Sequence, residues 1–143
     1  MLDFIIIGAA QAGLSMAYEL KQLKKNYVIL DKESQVGASW LKRWDSLTLF
    51  TPSEFNNLKG LEFPKPKGHY PDKYEVAEYF KHYVDTFNIP VEFNTLVTEI
   101  QDKSDYFVVK CEDGFYEAEQ VIIATGPFHI PYIPPFYQKI EAS

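Results

Sequence analysis

The sequence predicts an α/β fold, a parallel sheet carrying a small antiparallel β-meander, and three observations support it. Two apolar runs, residues 2–7 and Gln120-Val121-Ile122-Ile123, are continuous and rich in isoleucine, as strands covered on both faces are. Between the first run and a third, Tyr27-Val28-Ile29-Leu30, a glycine turn opens a helical pattern, giving a β-α-β unit. From Tyr106 to Ala118 apolar and polar residues alternate about Asp113-Gly114, the pattern of an antiparallel hairpin.

A chain of 143 residues fits one domain and can bury a sizeable core. Its 46% hydrophobic content is that of a globular protein, and 10 Tyr with 11 Phe supply flat rings for packing or for lining a pocket. The net charge of −6 argues against nucleic acid or an anionic membrane surface as a partner. His69, His82 and His129 are scattered without metal-ligand spacing, so no metal site is expected. One cysteine, Cys111, excludes an internal disulfide framework and suits a reducing cytoplasm. No apolar run reaches the length of a membrane span, and Asp3 stands where a signal peptide would want basic residues. Met1 directly before the first strand leads to the expectation that nothing precedes the fold.

Taken in order, the first strand ends at Gly8-Ala9-Ala10-Gln11-Ala12-Gly13, and a helix follows to about Lys24 with Ala12, Met16, Leu20 and Leu23 at helical spacing. Lys21, Lys24 and Lys25 suit the negative end of its dipole, and Asn26 is the expected C-cap. Strand, tight turn and helix N-terminus together form what a dinucleotide pyrophosphate needs: close backbone approach, unclaimed N–H groups and partial positive charge. Asp31 closes the second strand, about 20 residues beyond the turn, where a carboxylate accepts hydrogen bonds from ribose hydroxyls. The plainer alternatives are a solvated strand-end carboxylate, or Glu33 in that role.

Residues 32–71 are the least regular part, with Pro64, Pro66, Gly68 and Pro71 marking an extended loop. A loop of that length leaving the ligand edge is expected to be functional; the alternative is a surface excursion held down by its aromatic residues. Asp72-Lys73-Tyr74-Glu75 has capping-box spacing, and the helix it opens runs to about Phe87 with Val76, Phe80, Tyr83 and Phe87 on one face and His82 solvated. Asn88 and Pro90 end it. Val91-Glu92-Phe93 and Thr95 to Gln101 are strand candidates, and the hairpin with its structural Cys111 completes a meander before the final strand. Pro127, Pro131, Pro134 and Pro135 make the exit segment extended.

These pieces in this order resemble the two-dinucleotide-binding-domain flavoproteins, most closely the flavin-containing monooxygenase-like group. The resemblance rests on Gly8 to Leu14, Val28-Ile29-Leu30-Asp31-Lys32, Gly37-Ala38-Ser39-Trp40, Arg43-Trp44-Asp45-Ser46-Leu47 with Phe50-Thr51-Pro52, and Val121 to Pro127. It implies a Rossmann-like FAD/NAD(P)-binding fold of which residues 1–143 form the FAD-binding domain, with the nicotinamide domain and the closing segment absent. By that resemblance the FAD pyrophosphate maps onto Gly8, Ala9, Ala10, Gln11, Ala12 and Gly13, and the adenosine ribose onto Asp31 and its neighbour Lys32. Ser39 and Trp40 lie along the cofactor, Arg43, Thr48 and Thr51 approach the flavin, Val97 offers main-chain groups to adenine, and Thr125-Gly126 returns the chain to the cofactor. Ala10 departs from the middle glycine of the motif, which implies weakened binding at most. No catalytic residue is assigned; Asp45 is the charged side chain expected nearest the flavin, with an ion pair to Arg43 or a loop cap as its alternative.

The chemistry so implied is flavin reduction by NADPH and oxygen transfer to a substrate the sequence does not identify, carried by the cofactor and not by an acid–base or nucleophile set. Three readings follow. The chain is the FAD-binding portion of an NAD(P)H-dependent oxidoreductase, as a fragment, truncated product or half of a split enzyme; or a stand-alone FAD module without turnover; or an NAD-dependent Rossmann enzyme, which the meander and the Ala124-Thr125-Gly126-Pro127 strand end disfavour. A homodimer mate or a second chain would then cover the missing half.

Overall fold

Alternate residues of the apolar runs face opposite sides of a sheet, so continuous runs demand a core on each side. The computed structural model, which describes residues 1–127, 130 and 132–139, has both. Its strands are β1 (Leu2–Ile7), β2 (Tyr27–Leu30), β3 (Val91–Glu92), β4 (Val97–Asp102), β5 (Phe107–Cys111) and β6 (Gly114–Ile123), joined in one sheet in the order β3-β2-β1-β6-β5-β4. The helices are α1 (Gln11–Gln22), the short α2 (Ala38–Leu41) and α3 (Lys73–Phe87). Ile6 and Ile29 look into a core built with Leu14 and Ala17 of α1 and Val76, Tyr79 and Tyr83 of α3. Ile5, Ile7, Val28 and Leu30 look the other way, onto Val109 of β5 and Ala118 of β6.

Several expectations are corrected. The buried face of α1 is Gly13, Leu14, Ala17 and Leu20, while Met16 and Leu23 are 38% and 67% exposed. Leu20 is buried as expected, but Gly13 sits against the Gly8 carbonyl, and Leu14 and Ala17 face inward in place of Ala12 and Met16. Asn26 does not cap α1. Leu23 is the C-cap and Lys24 takes the left-handed conformation (φ +55°), with Lys25 N–H on Leu20 O (3.0 Å) and Lys24 N–H on Lys21 O (3.0 Å). Asn26 instead directly precedes β2, its N–H donating to Asp3 Oδ2 at 2.9 Å.

The hairpin and the final strand are one element. β6 pairs antiparallel with β5 along Gly114–Ala118 and parallel with β1 along Ala118–Ile123. The tight loop is Glu112-Asp113, one residue earlier than expected, because Gly114 already pairs with Cys111. β3 lies outside the meander, parallel to β2. The end of β6 is not buried as expected: α1 packs over β1 and β2, and Ile123 is 68% exposed. Of the exit segment, Pro135–Lys139 forms a 3-10 turn where an extended chain is expected, and the expectations on Phe128, His129 and Pro131 lie outside the described residues.

The capping box at α3 is as expected: Asp72 Oδ1 accepts from Tyr74 N–H (2.9 Å) and Glu75 N–H (2.8 Å), and Glu75 Oε2 accepts from Asp72 N–H (3.0 Å). The irregular 32–71 segment is packed onto α3 by ring hydroxyls. Tyr79 Oη accepts from Leu58 N–H and donates to Leu61 O, both at 2.7 Å, and Tyr83 Oη donates to Lys59 O at 2.7 Å.

Candidate dinucleotide site

The glycine turn is tight for steric reasons that can be read atom by atom. Gly8 has φ +107°, and a Cβ on it would stand 2.6 Å from the Ala124 carbonyl oxygen. A Cβ on Gly13 would stand 1.9 Å from the Gly8 carbonyl oxygen, so this glycine lets α1 sit directly on the end of β1. Ala10 is the N-cap of α1 with ordinary extended angles (φ −99°, ψ −169°), which a side chain adopts without strain. No side chain caps α1 and its first turn holds no acidic residue, so its leading N–H groups point out with the positive end of the dipole.

Asp31 stands beside this turn. Its Oδ2 accepts from Ala9 N–H at 2.6 Å and its Oδ1 from Glu33 N–H at 2.9 Å, leaving a further lone pair on each oxygen. Its backbone is fixed by Asp31 N–H on Glu92 O and Thr95 N–H on Asp31 O, and Asn94 N–H reaches Glu33 O at 2.8 Å. The chain end of β6 closes the other side: Ala124 N–H donates to Ile7 O at 2.8 Å, and Thr125 Cα lies 3.4 Å from the position of a Gly8 Cβ. Gly126 follows with φ +70°. Gly8 to Gly13, Asp31 and Thr125 are thus brought together.

The other predicted residues fall at varying distance from that centre. Lys32 is exposed. Ser39 and Trp40 lie in α2, which starts at a left-handed Gly37 (φ +79°) where a Cβ would meet Ala77 Cα at 2.7 Å, and a Lys42–Glu33 ion pair ties α2 back to the strand end. Val97 lies in β4 opposite Cys111 with its side chain against the second core, whereas Asn94 and Thr95 just before it donate to the Glu33 and Asp31 carbonyls. Thr48 bridges to Asp72, and the Thr51 hydroxyl turns into its own loop, donating to Asn56 Oδ1 at 2.6 Å. Asp45 pairs with Lys73 (2.8 Å) and not with Arg43, whose carbonyl accepts from the same ammonium at 2.7 Å. The hydrogen bond from Lys73 holds the Asp45 carboxyl below the usual carboxylate range. Lys73 is the residue the sequence reading missed. A polar residue in a first helical turn carries no signal of burial.

Leading N–H groups at a helix start, a turn whose two glycines leave no room for a side chain and a carboxylate with lone pairs to spare can hold phosphate and ribose side by side. Fold and site therefore define a dinucleotide-binding α/β domain. The chain belongs to the pyridine nucleotide-disulphide oxidoreductase family, whose model matches residues 5–141. It is 43% identical over 141 residues to the "Uncharacterized oxidoreductase CzcO-like" of Geobacillus kaustophilus, covering 99% of this chain and 40% of that protein. It is 35% identical to "Probable indole-3-pyruvate monooxygenase YUCCA4" of Arabidopsis thaliana, covering 91% of this chain and 32% of that one. Among solved structures it is similar to a flavin-containing monooxygenase from Stenotrophomonas maltophilia, with TM-score 0.87 and 34% identity over 93% of this chain and 41% of that one. The chain spans about two fifths of the length of these curated oxidoreductase relatives, 40% and 41%. None of the helices among the described residues is long and apolar enough to cross a membrane, and among those residues no cluster of His, Cys, Asp or Glu could hold a metal.

Proposed function

We propose that the chain binds FAD as the cofactor-binding portion of an NAD(P)H-dependent, monooxygenase-like flavoprotein of the cytoplasm. The pyrophosphate lies over Gly8–Gly13 against the start of α1, and the adenosine ribose hydroxyls donate to Asp31 and lie near Lys32. Adenine lies by the Asn94-to-Val97 segment. Ser39, Trp40, Arg43 and Asp45 border the cofactor toward its flavin end with Thr48 and Thr51, and Thr125-Gly126 lies where the chain returns to the turn. FAD, when bound, supplies the redox chemistry; the protein's part is to bind, orient and exclude water. NADPH and the substrate are bound with a covering half, supplied as further chain, a homodimer mate or a second chain.

The observation that carries this reading is the 2.6 Å bond from Ala9 N–H to Asp31 Oδ2, which joins the phosphate turn and the ribose acceptor in one unit. Likeness to proteins named as flavin-containing and monooxygenase supports the choice of FAD over NAD. Titrating the purified chain with FAD and, separately, with NAD tests it. A shifted visible absorption band and retention of FAD on dialysis are expected, while retention of NAD and loss of FAD would overturn the reading.

A further inference from the structure

Lys73 is the first residue of α3 and is 3% exposed, the one buried charged side chain among the described residues. The place is unfavourable for a cation twice over: burial removes its water, and the start of α3 carries partial positive charge. Its ammonium is nevertheless fully used, with Leu41 O at 3.3 Å, Arg43 O at 2.7 Å and Asp45 Oδ1 at 2.8 Å. Leu41 ends α2, so the first of these carbonyls belongs to a helix C-terminus and carries partial negative charge. The Asp45 side chain reaches in from solvent, 96% exposed. At its other end the same stretch is tied to the ribose carboxylate, through Glu33 N–H on Asp31 and the Glu33–Lys42 pair. Residues 33–45 therefore form a strap fastened at Asp31 and at Lys73. The Lys73 end is rigid because the capping box fixes the start of α3.

We propose that Lys73 is a positioning residue of the cofactor site, fixing the strap so that Ser39 to Arg43 stand at a set distance from the bound dinucleotide. The inference rests on the FAD reading above. Lys73 acts through main-chain carbonyls, and it sets the geometry and order of the strap without touching the cofactor.

The test uses the full chain with Lys73→Met and Asp45→Ala, the second removing one exposed acceptor and leaving the core untouched. Hydrogen exchange is measured without ligand, and FAD affinity and the visible circular dichroism of bound FAD are measured by titration. In Lys73→Met, amides 41–47 are expected to exchange at least about tenfold faster while 57–63 keep wild-type rates, FAD to bind about tenfold more weakly, and the dichroic band to change. Asp45→Ala is expected to show the same changes at about two- to fivefold, and because Asp45 itself borders the cofactor, its exchange at amides 41–47 without ligand decides the matter if Lys73→Met does not fold: wild-type exchange there overturns the role of Lys73. Wild-type FAD binding with wild-type affinity and dichroism in the variants overturns the role of Lys73, even where the melting temperature falls. Failure of the wild-type chain to bind FAD overturns the reading of the site together with it.

Discussion

Asp31 organises the turn, we propose that it also binds the ribose, and substitution separates the two roles. Asp31→Ala leaves the Ala9 and Glu33 N–H groups without their partners, both in part-buried bonds. Urea unfolding without ligand is expected to show a loss of about 1–2 kcal/mol. FAD affinity is expected to fall by a further 1–2 kcal/mol or so, as charge-assisted bonds to ribose hydroxyls disappear. A variant with wild-type stability would mean that the carboxylate does not hold the turn. Ala10, by contrast, sits at angles open to any residue, so Ala10→Gly is expected to change FAD affinity by less than about fivefold in a fluorescence titration. Asp31 could be singled out as a candidate because its distance from the glycines is a matter of counting along the chain. Its bond to Ala9, 22 residues away, was not, since only the folded β-α-β unit brings the two together.

The start of α3 shows the same division between local and distant signals. Asp72 and Glu75 are three residues apart, so their mutual capping is visible in the sequence. Lys65 and His69 also converge on Glu75, at 2.6 and 2.7 Å, and their place in an irregular loop hides this from any periodicity. Burial works to raise the Glu75 carboxyl, but the bonds from His69, Lys65 and Asp72 N–H outweigh it and hold the group at about 2, below its ordinary 4.5. The folded state thus binds fewer protons between those two values. Its stabilisation is complete above about pH 4.5 and is lost as pH falls toward about 2. The unfolding free energy of wild type is expected to lose about 1–2 kcal/mol more than that of Glu75→Gln across this window, the figure being reduced for solvent screening. Parallel pH profiles for the two proteins in urea titrations would remove Glu75 from the account of acid stability.

Across the whole molecule, β6 is the element that makes one body out of two patterns. The sequence shows an alternating hairpin arm and then a continuous apolar run, and the change of period reads as two strands. In the fold it is one strand changing partners at Ala118, which is fully buried and lies opposite both Phe107 of β5 and Leu2 of β1. The period changes because the neighbours change, antiparallel on one side and parallel on the other. Damage in the meander should therefore be felt on the helical side of the sheet. Val109 is fully buried against Ile5, Ile7, Val28 and Leu30, whereas Trp40 packs on the opposite core. Val109→Ala removes two methyl groups from a closed site and is expected to cost about 1.5–3 kcal/mol. Because Trp40 and Trp44 are the only tryptophans, fluorescence reports the helical side while far-ultraviolet circular dichroism reports the whole chain. Both midpoints in urea are expected to fall by the same amount and to coincide in each protein. A dichroism midpoint that falls while the tryptophan midpoint stays would mean that the meander unfolds by itself, with β6 a hinge and not a shared strand.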